Sequence, residues 1–199
     1  MKTMSKLGLA CLLASFLSLG AMGRSASPAI LKAHADIVGA PGSGISGTVV
    51  FLQILSGNLP TVQIIATVEG LTPGNHGFHI HAVGSCANTA TTPFGGAGGH
   101  FDPDGFPGAT PPAVGNTNPD TNHPFHMGDM QQLTADSHGK AVLIHSSSRI
   151  TLSPGPLSIL DADGSAVIVH GNPDQGISGA AGSGVSGGPR IACGIVVSD

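Results

Sequence analysis

Apolar and polar residues alternate along much of this chain with a period of two. From Ala29 onward, Ile30, Lys32, His34, Asp36 and Val38 interleave with Leu31, Ala33, Ala35 and Ile37, and successive side chains of a strand point to opposite faces. Residues 44–55, 61–69, 78–82, 132–134, 141–145, 157–160, 166–170 and 190–197 carry comparable strand signals. Turn-forming residues separate them at Pro41-Gly42, Asn58-Leu59-Pro60, Thr72-Pro73-Gly74-Asn75 and Asp161-Ala162-Asp163-Gly164, where fixed or left-handed backbone angles are needed. No segment has the 3.6-residue period of a long helix. Two irregular, glycine-rich stretches interrupt the strands, Val83 to Asn122 and Gly171 to Pro189. Loops of that length inside a compact domain are usually functional or disordered. About eight strands joined by turns and two long loops predict an all-β antiparallel sandwich or barrel.

Composition narrows the class further. A chain of 199 residues is one domain's worth, at roughly 100–200 residues per domain. Only 9% of residues are charged, while glycine and proline number 31 and 15, which argues against coiled coils, helical bundles and charge-rich disorder. Seven basic against 11 acidic residues give a net charge of −4, and no Lys/Arg cluster exists to engage nucleic acid or an anionic membrane. The first residues follow an export pattern: Lys2 and Lys6, an apolar stretch from Leu7 to Met22, then small residues from Gly23 to Ser27. That is the layout of a secretory leader, and the stretch is shorter than the ~20 apolar residues a spanning helix needs. The expectation is a removed leader over residues 1–26, a single domain over 27–199 with no membrane attachment, and a periplasmic or secreted location. Cys11 would leave with the leader. Cys86 and Cys193 remain, an even count in an oxidising compartment that fits either one disulfide or two buried thiols.

Ten histidines exceed the seven Lys and Arg together, so candidate chemistry is sought among the imidazoles. His79-Ile80-His81 places two rings on one face of a strand,. His100 follows Gly98-Gly99, His123 and His126 stand just before Asp129, and His170 closes the apolar run Ala166 to Val169. Sets rich in imidazole nitrogen suit copper, whereas histidines with one carboxylate suit tetrahedral zinc. His34, His76, His138 and His145 stand apart from these groups and are read as structural.

Five segments taken together carry a resemblance. Gly77-Phe78-His79-Ile80-His81, Gly98-Gly99-His100-Phe101-Asp102-Pro103, His126-Met127-Gly128-Asp129, Val169-His170 with Asp174, and Arg190-Ile191-Ala192-Cys193-Gly194 resemble the copper/zinc superoxide dismutase family, in its exported bacterial type. The resemblance implies an eight-stranded antiparallel Greek-key barrel that converts superoxide to oxygen and hydrogen peroxide. It implies copper on His79, His81, His100 and His170, with His100 bridging to zinc and Arg190 beside the copper, the last two being the catalytic residues. It also implies a Cys86–Cys193 disulfide, and Asp174 as the carboxylate linking a copper histidine to a zinc histidine behind the ligands. Two features depart from the family. The place of its middle zinc histidine is taken by Asp104-Gly105-Phe106-Pro107-Gly108, so the expected zinc set is His100, His123, His126 and Asp129, with His123 displaced across an enlarged loop. Residues 175–189 contain no charged side chain, so steering of superoxide falls mainly to Arg190 and the metal. A homodimer is compatible with the resemblance. An exported copper-binding or copper-delivery protein on the same scaffold is the alternative reading.

Overall fold

A computed structural model of the protein describes residues 30–54, 60–103, 126–177 and 183–199. The expected leader and His123 lie outside the described residues. Ten strands follow in chain order: β1 (Ile30–Gly39), β2 (Ser46–Ile54), β3 (Thr61–Glu69), β4 (Gly74–His76), β5 (Phe78–His81), β6 (Leu133–Ala135), β7 (Ala141–Ser147), β8 (Ala166–His170), β9 (Arg190–Ile195) and β10 (Val197–Ser198). Hydrogen bonding runs β4-β6-β7-β3-β2-β1-β9-β8-β5, all antiparallel, with β10 attached to β1. Only Gly77 separates the two ends of that path, so β4 and β5 form one course of chain and the sheet closes on itself. Counting β4 and β5 as one stave and β10 as a tail leaves eight around the barrel. Connections that skip neighbours, from β3 to β4 and from β7 to β8, give the Greek-key order. Among the described residues the helical content is one 3-10 turn, Gly95–Ala97, and no helix is long and apolar enough to cross a membrane.

Alternation explains which way each strand faces. Ala33, Ala35 and Ile37 are buried while Ile30 and Val38 are exposed, as the period of two requires. Phe51 lies opposite both Ala33 and Ile64 in the ladders, so small residues on one strand make room for a large ring on the next. Each fully buried side chain of this size contributes about 1.5–3 kcal/mol. Gly77, at the seam, has no space for a side chain: a Cβ there would lie 2.9 Å from the Ser186 carbonyl oxygen. Its N–H donates to the Asn172 carbonyl and its own carbonyl accepts from His170 N–H, so the seam of the barrel is tied to the segment carrying His170.

Three strand expectations are corrected. Residues 157–160 are no strand: Pro154-Gly155-Pro156 turns the chain sharply, and Thr151 bridges Ser158 in a tight return instead, its N–H donating to the Leu157 carbonyl and its carbonyl accepting the Ile159 N–H. That return plugs one end of the barrel with Ile150, Leu152 and Ile159. Gly74 and Asn75, expected in a turn, belong to β4 because β6 offers them partners. The strand expected over 190–197 breaks at Val196, whose N–H leaves the ladder for the Ser165 carbonyl.

Fully buried Gln53 secures the plug. Its Oε1 accepts the N–H groups of Leu152 and Ser153, and its Nε2 donates to Ser153 Oγ. Replacing Gln53 with Leu would leave two backbone donors without a partner in the interior, an expected loss of about 2–4 kcal/mol. Thermal unfolding of Gln53→Leu, compared with the parent, checks this, and an unchanged midpoint would contradict it.

Candidate metal centre

All four residues of β5 are buried. Phe78 and Ile80 join the barrel core, which turns His79 and His81 outward, where the two long loops cover them. His100 reaches them through an antiparallel bridge with His81, and Asp129 through one with His79. Gly128 permits that approach, since a Cβ on it would stand 2.3 Å from the Ile80 carbonyl oxygen. The ladder between β8 and β9 shifts register between Val169 and His170. Such a bulge re-aims a side chain, and here it sets His170 opposite Arg190.

Two groups of ligand-type atoms result. His79, His81, His100 and His170 each offer one within 4.8 Å of the others, and His100, His126 and Asp129 form a second group under the same limit. His100 belongs to both. Its ring stacks on His79 at 4.2 Å between centroids and meets His126 edge-on at 5.0 Å.

Acceptors behind the rings fix which nitrogen faces inward. His79 Nε2 donates to Asp174 Oδ2 at 2.7 Å, His81 Nδ1 to the Gly98 carbonyl at 2.9 Å, and His170 Nδ1 to the Gly188 carbonyl at 3.0 Å. His100 Nδ1 lies 2.8 Å from Asp129 Oδ1, and Asp129 Oδ2 accepts the His126 backbone N–H. Hydrogen bonds of this kind hold a metal-binding imidazole in one tautomer and orientation. The opposite nitrogens of His81 and His170 are buried and have no hydrogen-bond partner among the described residues. A buried polar atom without a partner is costly, and a cation fills that need. Burial, and next the neighbouring His100, hold the His79 and His81 rings well below the ordinary histidine range. Burial likewise lowers His170, to about 4, against the pull of the Gly188 carbonyl. The rings are therefore neutral near pH 7, the form that binds metal.

Residues 45–196 match copper/zinc superoxide dismutase (SODC). The chain belongs to the copper/zinc superoxide dismutase family. A Brassica juncea relative named superoxide dismutase Cu-Zn 2 is 36% identical over 158 residues, spanning 77% of this chain and 90% of its own. A crystal structure of a double mutant of a SOD-like protein from Bacillus subtilis superposes with a TM-score of 0.60 at 32% identity, covering 81% of this chain and 95% of that one.

Within this family fold, the structure brings together seven of the residues singled out from sequence: His79, His81, His100, His126, Asp129, His170 and Asp174. Arg190 stands at the mouth, its Nη1 donating to the Phe94 carbonyl at 2.9 Å and its Nη2 to the Gly98 carbonyl at 2.6 Å. Cys86 and Cys193 are bonded, with Cα atoms 5.7 Å apart. The cleft above these residues has a volume of about 760 Å³, and Arg190 is the charged residue lining it among the described residues. His34, His76, His138 and His145 join neither cluster; the ring nitrogens of His76 lie 2.8 Å from the Thr72 and His170 carbonyl oxygens, so it braces the chain behind the site. Sequence reading missed Gln132. Its Oε1 accepts the Asp174 backbone N–H at 2.8 Å and its Nε2 donates to the Asp174 carbonyl at 3.0 Å, pairing with that backbone as a strand would. Its place just past the His126–Asp129 turn is a signal only once the turn is known to abut Asp174.

Depressed histidine values carry a pH signature. Above pH 6.5, the ordinary value, folded and unfolded chains both keep His170 neutral. Below it the unfolded chain takes up a proton that the folded one refuses, so stability is lost as pH falls from 6.5 to about 4,. The metal-free protein is expected to lower its unfolding midpoint progressively across that window in scanning calorimetry. A flat profile would contradict the buried neutral rings.

Proposed function

We propose that this protein dismutates superoxide, turning two superoxide anions and two protons into oxygen and hydrogen peroxide. In this reading His79, His81, His100 and His170 hold copper, while His100, His123, His126 and Asp129 hold zinc. The observation that carries it is the sharing of His100 between a four-histidine cluster and a histidine–carboxylate cluster. Neutral imidazoles suit copper, and a set of three imidazoles and one carboxylate suits closed tetrahedral zinc. His123 lies outside the described residues; the spacing His-x-x-His-x-x-Asp over residues 123–129 supports it.

Copper held by imidazoles would supply one-electron redox chemistry in both directions, which zinc lacks. The chain's own part is charge, orientation and the proton. Arg190 is always cationic, and its grip on two carbonyls keeps it where an anion enters the cleft. His100 handles the proton. Its Nδ1 faces the Asp129 carboxylate, which leaves Nε2 as the nitrogen that would take up a proton from water and pass it to the departing peroxide. Asp174 fixes the tautomer of His79, and Gln132 fixes Asp174. The disulfide fits an exported, oxidising environment,.

Metal content measured alongside superoxide consumption tests the reading. The purified protein is expected to carry copper and zinc together and to consume superoxide, and His81→Ala is expected to reduce consumption to background. A variant active at the parent rate would refute the copper assignment, while a parent that holds copper without consuming superoxide would favour copper binding or delivery.

Zinc has its own test. After identical metal loading, His123→Ala is expected to retain copper and part of the activity but to lose zinc and thermal stability, since His100 would keep three imidazole neighbours but lose an anchor on its other side. Zinc content equal to the parent's, read by mass spectrometry, would remove His123 from the set.

A further inference from the structure

Among the described residues, Phe94 is the sole non-glycine with a left-handed backbone, at φ 53° and ψ 26°. That conformation is strained for a bulky residue. Two glycines follow immediately, Gly95 and Gly96, and either could adopt it at no steric cost. A shift of one residue would relieve the strain, so something holds Phe94 in place. Three contacts do. Its N–H donates to Asn88 Oδ1 at 2.9 Å. Its ring packs with Cys86 against the buried cluster of Ala97, Ala166, Ile168 and Cys193, around the disulfide. Its carbonyl accepts from Arg190 Nη1 at 2.9 Å while also receiving the Ala97 N–H at 3.2 Å.

We propose that Phe94, locked in its left-handed conformation by Asn88 and by the disulfide cluster, is the positioning residue that aims Arg190 into the cleft. The second support of Arg190, the Gly98 carbonyl, also accepts from His81 and is fixed by the metal centre itself. The first support comes from a loop whose exposed course, residues 87–91, has no core of its own. Without Asn88 the Phe94 carbonyl would lose one of its anchors, and Arg190 the firm placing of that support. The inference rests on the reading of Arg190 as the group that receives the substrate anion, and its consequence is that an exposed asparagine remote from the histidines tunes anion affinity.

Azide binding to the copper-loaded protein, followed by its absorption spectrum, and nitrogen-15 NMR of the Arg190 guanidinium in the reduced, copper-loaded protein form the test. Asn88→Ala and Phe94→Gly are expected to weaken azide about fivefold, the value of one ordinary hydrogen bond, with unchanged metal content. In the parent, restricted rotation should separate the Arg190 Nη signals; in both variants they should merge, and Asn88→Asp, which keeps the Oδ1 acceptor, should restore them. Parent-like azide affinity with separated signals in both variants would overturn the proposal. Weaker azide with undisturbed Arg190 signals would overturn it equally, because the loop would then act on something else. Arg190→Gln separates the two levels: if it binds azide as the parent does, the anion role of Arg190 fails, while the NMR comparison still decides whether Phe94 positions it.

Discussion

Strand β5 is buried on both faces, the inner one by the core of the closed barrel and the outer one by the loops that lie over it. Its inner residues, Phe78 and Ile80, fill the core, and its outer residues are imidazoles, each with two nitrogens that must be satisfied away from water. Loops provide one partner for each ring: Asp174 for His79 and the Gly98 carbonyl for His81. With those edges occupied, the remaining nitrogens converge with those of His100 and His170. The candidate metal centre is thus what remains once the outer face of β5 is covered. Asp174, the Gly98 carbonyl and the Gly188 carbonyl all serve ring nitrogens from the covering loops, which is why those loops cannot be trimmed to short turns.

Much of the barrel was legible because its strands are amphipathic. Where only one face is buried, as in β1, β2 and β3, alternation marks both the element and its orientation. Legibility fails where that pattern fails. Residues 157–160 are apolar enough for a strand, but they plug the barrel end in a return dictated by Pro154-Gly155-Pro156 and held by Gln53, which is distant in sequence. β4 was hidden because three residues cannot display a period, and because its partner β6 is equally short.

The site divides along the same line. Histidines carry a recognisable side chain, so the sets around His79, His100, His126 and His170 could be read from spacing and resemblance. Carbonyl groups carry no such mark. That Gly98 serves both His81 and Arg190, or that Gly188 serves His170, depends on backbone placement alone. Gln132 stands between these cases: its side chain is visible, but its role depends on a backbone 42 residues away.

Charge at the cleft links this architecture to the proposed reaction. Residues 83–99 and 175–189 hold no charged side chain, and the whole chain is net negative at −4, so an approaching anion meets no graded field of lysines. The reach of one fixed cation in physiological salt is about 8 Å, short against the dimensions of a domain of this size. Capture therefore begins only once the anion is already inside the mouth, and its outcome depends on where the guanidinium stands. A mobile Arg190 would spread its charge over the rim; one gripped by two carbonyls concentrates it above the histidines. With no lysine or arginine in residues 83–99 or 175–189, the rigid placing of Arg190, together with the charge of a metal held by the histidines, would do the work that many charges could share.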